Sequence, residues 1–341
     1  MRLPGLTPPL PPNQCRFHGA PGHVESYFLR ANDPLGRRAL WIKATILSPL
    51  VGDPVAESWF VWFDGERTFA HRDTFPFRDA RFVTNGSSTD VEVGSLRLSL
   101  RDEGSASGQV DAPAGRASFA LSFQRGLAPV GRPLSCYPLT ALQDGPFPKS
   151  KFNTPFPFLR LEGKLEVLGE TVSLDGWTGA QGHNWGHEHH HDYAWAQALF
   201  PGRAGEPDAM VEGGSGRILV AGRMTPLLSV LVVRRGDEEY RFDSLVDLWR
   251  QEPALSAGRY TLRMRSRRGE ARLRLDTGGQ PMACLGYPNP DGALAYCLNT
   301  KLASALCEVH PRGEPPFTLR SEHGGALEFL TRQLPPGTVV I

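Results

Sequence analysis

Apolar residues alternate with polar ones in short runs along most of this 341-residue chain. That period of two constrains the fold more than any other feature, because successive side chains of a strand point to opposite faces. Leu40, Ile42, Ala44 and Ile46 alternate with Trp41, Lys43 and Thr45. Leu96, Leu98 and Leu100 alternate with arginine and serine, and Phe119, Leu121 and Phe123 with alanine and serine. Trp59 to Phe63 is apolar throughout, as a strand covered on both faces would be, and runs into Asp64-Gly65, a hairpin signal. Residues 126–157 form a proline-spiked connection, after which strand character returns at Leu159, Leu161, Leu165 and Val167. Later runs are Ile218–Val220, Leu227–Val233, a hairpin centred on Arg267–Glu270, and two pairs, Met282–Tyr287 with Ala293–Leu298 and Phe317–Leu319 with Leu327–Phe329. Short helices are expected only at Leu245–Arg250 and Leu302–Glu308. Short strands with turn signals every 8–12 residues or so predict an all-β fold of sandwiches or barrels rather than alternating α/β units. No fixed-period repeat points to a solenoid.

Composition narrows the function classes. Hydrophobic residues make up 40% and charged residues 21%, enough for a buried core, and a net charge of +1 gives no global pull toward nucleic acid or anionic membrane. Positive charge is nearly all arginine, with lysine only at 43, 149, 151, 164 and 301, a bias attributed to genomic base composition. The scattered cysteines Cys15, Cys136, Cys284, Cys297 and Cys307 form no C-x-x-C pair, which speaks against a disulfide framework and for a reducing compartment. The opening MRLPGLTPPLPPNQC has no continuous apolar core, so no secretory signal is expected, and no window suits a membrane helix. The expected location is cytoplasmic. Residues 1–22 read as a proline-rich lead-in, extended and loosely attached. A domain boundary is expected at the end of a histidine run, giving domains 23–190 and 191–341.

The stretch Asp175–Phe200, DGWTGAQGHNWGHEHHHDYAWAQALF, concentrates the chemistry. Glycines at 176, 179, 182 and 186 oppose a helix and predict a bend. Beyond it, Tyr193, Trp195, Gln197 and Leu199 alternate with alanines as in a strand. Imidazole and indole gathered there predict a pocket wall. His187-Glu188-His189-His190-His191 satisfies H-E-x-x-H, the zincin pattern, but Gly186 before it and the strand after it deny the required helix. Adventitious binding of nickel or zinc is the expectation for this run, with no metal in the working site. His183-Asn184-Trp185-Gly186 offers an acid/base, a polar orienter and an apolar wall; the plain alternative is a structural corner with His183 and Asn184 bonding backbone. No G-x-S-x-G elbow, P-loop or G-x-G-x-x-G after a strand occurs, which sets aside serine hydrolases and nucleotide-binding folds. Arg263–Arg274 reads as the solvated outer face of a sheet; the alternative is a local basic patch able to touch a membrane surface. That face lacks interleaved aromatics, so nucleic acid is not expected as a partner.

The run DGWTGAQGHNWGHEHHHDYAWAQ resembles the signature of the superfamily that contains hydroxyneurosporene synthase (carotenoid hydratase), tocopherol cyclase, fungal Diels–Alderases and the lipid-carrier-like fungal survival factors. The match is carried by His183 to Gly186, by His189, and by Tyr193-Ala194-Trp195-Ala196-Gln197, which is similar to a W-x-W-V-Q run of tocopherol cyclases. Glu25–Phe28 and Ala39–Ile42 resemble the opening strands. The resemblance implies two lipocalin-like (calycin) antiparallel β-barrels side by side and a hydrophobic small-molecule ligand. One departure is clear. Where the carotenoid hydratases carry an aspartate before the His-Asn-Trp-Gly run, this chain has Gly182 preceded by Gln181. Carotenoid hydration itself is therefore not implied.

Three functions follow as expectations. The first is an isomerase, cyclase or hydratase (lyase) acting on a prenyl or polyene lipid by acid/base chemistry, without a cofactor. His183 or His189 would be the acid/base, with Asn184 beside it. Trp177, Gln181, Trp185, Tyr193, Trp195 and Gln197 would bind the ligand, their aromatic faces stabilising a cation. The second is a carrier that binds such a ligand unchanged. The third is a metal-dependent enzyme built on His187–His191.

Overall fold

The computed structural model describes residues 10–139, 141–202, 206–220, 222–249, 251–335 and 338–341. Two large antiparallel sheets account for nearly all of them. The first, of twelve strands, runs from Thr68–Pro76 through Val55–Phe63, Ala39–Ser48 and His23–Asn32 to Trp177–Gly186, then through Ser150–Val167 and Gly115–Arg125 down to Arg81–Asn85. The second, of ten strands, is centred on Tyr193–Phe200, Phe317–Thr331 and Leu294–Pro311. The chain passes from one sheet to the other between Gly186 and Tyr193.

Each sheet curls around its own apolar core, giving two lipocalin-like barrels. Tyr27, Leu29, Phe60, Trp62, Phe119, Leu161 and Trp177 fill the first. Val211, Leu231, Tyr260, Leu273, Cys307 and Leu327 fill the second. Between them lies a third apolar layer, made where the outer faces of the two barrels meet: Phe28, Trp41, Trp59, Val61 and Phe63 on one side, Leu285, Tyr287, Cys297 and Leu330 on the other. The alternation of Ala39–Ser48 is thus real, but its second face is not solvated. Trp41 and Lys43 are 2% and 3% exposed, because a second barrel covers them.

Several elements differ from the expectation. Residues 302–308, read as a helix, lie inside the 18-residue strand Leu294–Pro311. Phe317–Leu319 and Leu327–Phe329 are not a pair of strands but one strand, Phe317–Thr331, bonded along Leu294–Pro311. The proline-spiked connection ends earlier, since Ser150–Val167 is continuous strand, and it holds a single helical turn at Ala141–Asp144. At 245–250 only Asp247–Trp249 forms a short 3-10 turn, Arg250 lying outside the described residues. Arg263, Arg265, Arg272 and Arg274 do line one face of a hairpin, but each is paired with Glu252, Glu270 or Asp276. Those arginines share three carboxylates, so the face is not a bare basic stripe.

The glycine spacing has another cause than a bend. Trp177–Gly186 is a ten-residue strand, wedged between His23–Asn32 and Ser150–Val167. Only Gly176 (φ 78°) and Gly186 (φ 152°), at its ends, need glycine's backbone freedom. Gly182 is needed for space: a Cβ there would overlap the Phe28 ring, itself packed against Trp41 and Trp195. Gly182→Ala is therefore expected to cost about 1–3 kcal/mol by overpacking, read as a lowered urea midpoint with an unchanged slope. A variant as stable as the parent would mean that the Phe28 ring is free to move aside.

Candidate functional site

Side chains of the Trp177–Gly186 strand alternate between the two environments it separates. Trp177, Gln181, His183 and Trp185 point into the first barrel. Asn184, on the other face, points toward the layer between the barrels, where Tyr193, Trp195 and Gln197 arrive from the next strand. The residues expected to form one pocket are thus divided by a sheet.

Inside the first barrel the hub is Glu25. Its Oε1 accepts hydrogen bonds from Tyr27 Oη at 2.6 Å and from the Arg16 backbone N–H at 2.9 Å, and lies 2.9 Å from His183 Nε2. Its Oε2 is 2.9 Å from His23 Nε2. Burial alone would raise this carboxyl, but the bonds from His183 and His23 outweigh it and hold Glu25 well below the usual carboxylate range. The same burial, with the Glu25 charge, pushes the Cys15 thiol up to about 12. His183 is fully buried, stacked on Tyr27 at 4.4 Å and leaning on Trp185 at 4.8 Å. Its Nδ1 donates to the Pro12 carbonyl at 2.8 Å, which can only accept, so that nitrogen carries a hydrogen. Both ring nitrogens are therefore engaged within the protein.

Residues of the lead-in supply much of this closure, so they are not loosely attached. Asn13 is 2% exposed and exchanges two hydrogen bonds with Gln181, at 2.9 and 3.0 Å. Thr89 Oγ1 donates to the Asn13 carbonyl and the Cys15 backbone N–H to Thr84 Oγ1, which ties the segment to the far wall. Residues 1–9 lie outside the described residues. Trp177 is core, stacked on Trp62 at 6.3 Å. Trp185 lies under the Arg16 guanidinium at 4.9 Å.

The layer between the barrels is chemically richer. Lys301 Nζ donates to Glu328 Oε1 at 2.6 Å, and Asn299 Nδ2 donates to the same oxygen at 2.9 Å. Lys43 Nζ sits 3.8 Å from the centre of the Tyr287 ring, 5.5 Å from Trp59 and 5.7 Å from Trp41. Glu212 accepts from Thr154 at 2.7 Å, Trp195 Nε1 at 3.2 Å and Gln197 Nε2 at 3.0 Å, and burial raises its pKa. Arg30 Nε donates to Gln197 Oε1 at 2.7 Å. Tyr193 Oη lies 3.4 Å from Glu328. His189, half-buried, tilts against Tyr287 at 5.2 Å; burial, then the Lys43 charge, push it down to about 3, so it is neutral at pH 7.

Five buried polar atoms on this layer have no hydrogen-bond partner: Arg30 Nη2, Trp41 Nε1, Thr45 Oγ1, Asn184 Oδ1 and Asn299 Oδ1. Native proteins leave few such atoms, and each calls for an explanation. Arg30, Lys43, Lys301, Glu212 and Glu328 were all missed by sequence reasoning. The signal available was the scarcity of lysine, since two of the chain's five lysines are buried here.

Near the same end, His187–His191 forms no helix, which removes the structural condition for a zincin site. His187 Nδ1 is 3.0 Å from the Gly22 carbonyl, and Glu188 pairs with Lys149 at 3.7 Å. Among the described residues no group of three or more His, Cys, Asp or Glu side chains is placed to hold a metal ion. His189, His190 and His191 line a small cleft with Phe147–Ser150 and Arg217–Leu219.

The architecture is that of the double lipocalin-like barrel proteins. The same fold occurs in CghA, with a TM-score of 0.61 and 10% identity over 93% of this chain and 90% of that one. It occurs in an AttH-like protein from Nitrosomonas europaea (TM-score 0.55, 14% identity, 98% of this chain and 99% of that one). Kievitone hydratase from Nectria haematococca shares it too (TM-score 0.54, 11% identity, 96% and 94%). In sequence, the uncharacterized proteins Rv0493c and MT0513 of Mycobacterium tuberculosis strains H37Rv and CDC 1551 are each 27% identical over 301 residues, 87% of this chain and 84% of theirs. No family model matches the chain. No helix among the described residues is long and apolar enough to cross a membrane.

Proposed function

We propose that the protein is an enzyme of the isomerase, cyclase or hydratase type that transforms an apolar prenyl- or polyene-type molecule by proton transfer, in the layer between its two barrels. The observation that carries this reading is the set of five unpartnered polar atoms in a layer rich in aromatic side chains. A fold stabilised by that layer alone would do better with apolar side chains, because an unsatisfied buried group costs about 1–3 kcal/mol. A ligand with a polar end would satisfy several of them. Trp41, Trp59, Tyr193, Trp195 and Tyr287 offer ring faces suited to a developing cation. Asn184 and Gln197 orient the ligand, and Lys301 with Glu328 holds a proton in dry surroundings. His189, neutral at pH 7 and next to Tyr287, is an acceptor for a hydrogen bond from the ligand's polar end. His183 supports the wall from the opposite side as a positioning residue.

Two fold neighbours support an enzyme by what their names and contents state: kievitone hydratase is a hydratase, and CghA has been crystallised with Sch210972. The test is extraction of the purified protein with organic solvent, mass spectrometry of the extract, and incubation of the recovered compound with fresh protein. A prenyl- or polyene-type compound that returns as an isomer, cyclised product or hydrate is the expected result. Recovery of the compound unchanged would make the protein a carrier. Trp195→Ala should weaken ligand binding by about 2 kcal/mol, roughly thirtyfold in Kd. Equal affinity in that variant would move the site out of the layer.

A further inference from the structure

The two buried lysines of the layer differ in one respect. Lys301 is tied to Glu328, whose carboxylate favours its ammonium form against the burial that lowers it. Among the described residues, Lys43 Nζ has no carboxylate within ion-pair distance and no hydrogen bond; its nearest aromatic neighbours are the faces of Tyr287 at 3.8 Å, Trp59 at 5.5 Å and Trp41 at 5.7 Å. An ammonium gains from ring faces, yet three rings cannot replace its lost hydration. The site therefore weakens the ammonium relative to the free amine, so that a larger share of Lys43 than of a surface lysine is available as a nucleophile.

We infer that Lys43 is a reactive amine that condenses with an aldehyde or ketone carbonyl of the ligand, so that the layer's substrate class is an apolar carbonyl compound. This rests on the proposed ligand layer and deepens it. In the reaction the Nζ lone pair attacks the carbonyl carbon, and the carbinolamine then loses its oxygen as water. The resulting imine takes up a proton to become an iminium ion. Its charge would lie within the Tyr287, Trp59 and Trp41 faces, with the Glu57 and Glu328 carboxylates farther off as counter-charges. A conjugated iminium draws electrons along an attached polyene, which is how such a link would make a distant double bond easier to isomerise or cyclise.

The electrostatics agree with this role. Burial, helped by the like charge of Lys301, lowers Lys43 to about 8, while Cys297, Glu328 and Glu57 pull the other way. His189 and Tyr287 complete the titratable surroundings, the former neutral at pH 7 and the latter with its hydroxyl pushed well up by burial. At pH 7.5 an amine of that kind is free on the order of 100-fold more often than an ordinary surface lysine.

The experiment uses wild-type protein and citral, a prenyl-type enal, at pH 7.5, with borohydride reduction and peptide mapping. Geraniol, its alcohol, is titrated in parallel by tryptophan fluorescence. Only five lysines compete, of which Lys149 and Lys164 are well exposed. The expected result is reduced adduct at Lys43 forming on the order of 100-fold faster than at Lys149 or Lys164, and rising between pH 7 and 9. Lys43→Arg, with its melting curve checked, should remove that fast adduct and still bind geraniol. Adducts on surface lysines alone, in protein that binds geraniol, would overturn the imine and leave the ligand layer standing. Failure of both citral and geraniol to change the fluorescence would overturn both.

Discussion

His183→Ala is expected to lower the stability of the protein by about 3–5 kcal/mol, the cost of stranding a buried charge. The charge is that of Glu25, which would keep Tyr27 Oη, the Arg16 backbone N–H and His23 but lose the buried imidazole 2.9 Å away. Because the folded-state Glu25 carboxyl is held low, its contribution is complete above the unfolded carboxylate range near 4.5 and is lost as the pH falls below it. The variant should lose part of this acid sensitivity, since one of the two histidines that depress Glu25 is gone while His23 remains. A double variant, His183→Ala with Glu25→Gln, should recover part of the loss, because no charge then remains unpaired. Urea unfolding of the three variants at pH 7 and pH 4 measures both effects. Turnover per folded molecule, taken on the same samples, separates support from chemistry. A His183→Ala protein of normal stability whose turnover falls by 10²–10⁴ would make His183 the acid/base instead.

Glu328→Gln is expected to be as costly, about 3–5 kcal/mol, because Lys301 is fully buried and this carboxylate is its partner at 2.6 Å. Asn299 donates to the same oxygen and would be left with the neutral amide oxygen in place of a carboxylate. Replacing both ends, Lys301→Met with Glu328→Gln, should restore most of the stability, since paired burial of charge is close to neutral against an apolar substitute. That double variant should nonetheless stay inactive, because the proton it held is gone. If Glu328→Gln unfolds within 1 kcal/mol of the parent, water reaches Lys301 and the layer is not dry.

Much of this was legible in the alternation. The strand Tyr193–Phe200 puts Ala194, Ala196 and Ala198 into the second barrel and Tyr193 and Trp195 out of it, as its period requires. What alternation cannot report is what covers the second face. Trp41, Lys43 and Thr45 look like the wet side of a half-buried strand, and a neighbouring barrel 150 or more residues along the chain turns that side into an interior. Leu302–Glu308 was misread because its inward side chains, Ala303, Ala305 and Cys307, are small, while Leu302 and Leu306 put apolar groups on the other face and blur the alternation. The glycines were misread because close packing and turning demand the same residue. Gly182 answers to the Phe28 ring, a neighbour that no local pattern reveals. The His183 cluster was half legible: the histidine was picked out, but its partner Glu25 lies 158 residues away and its cover, Pro12 and Asn13, in a segment that looked detached.

The strand Trp177–Gly186 is a party wall, and that has a consequence for anyone who mutates it. Its odd-numbered side chains belong to one room and its even-numbered ones to the other. A residue-by-residue scan would therefore be two interleaved experiments. Changes at 177, 181, 183 and 185 should be read with a thermometer, through the melting of the first barrel. A change at 184 should be read with a ligand, through what the shared space can hold, and one at Gly182 through both readouts, since it also overpacks the Phe28 ring. Averaged together they would look like noise; sorted by parity they separate the wall's two sides within one ten-residue strand.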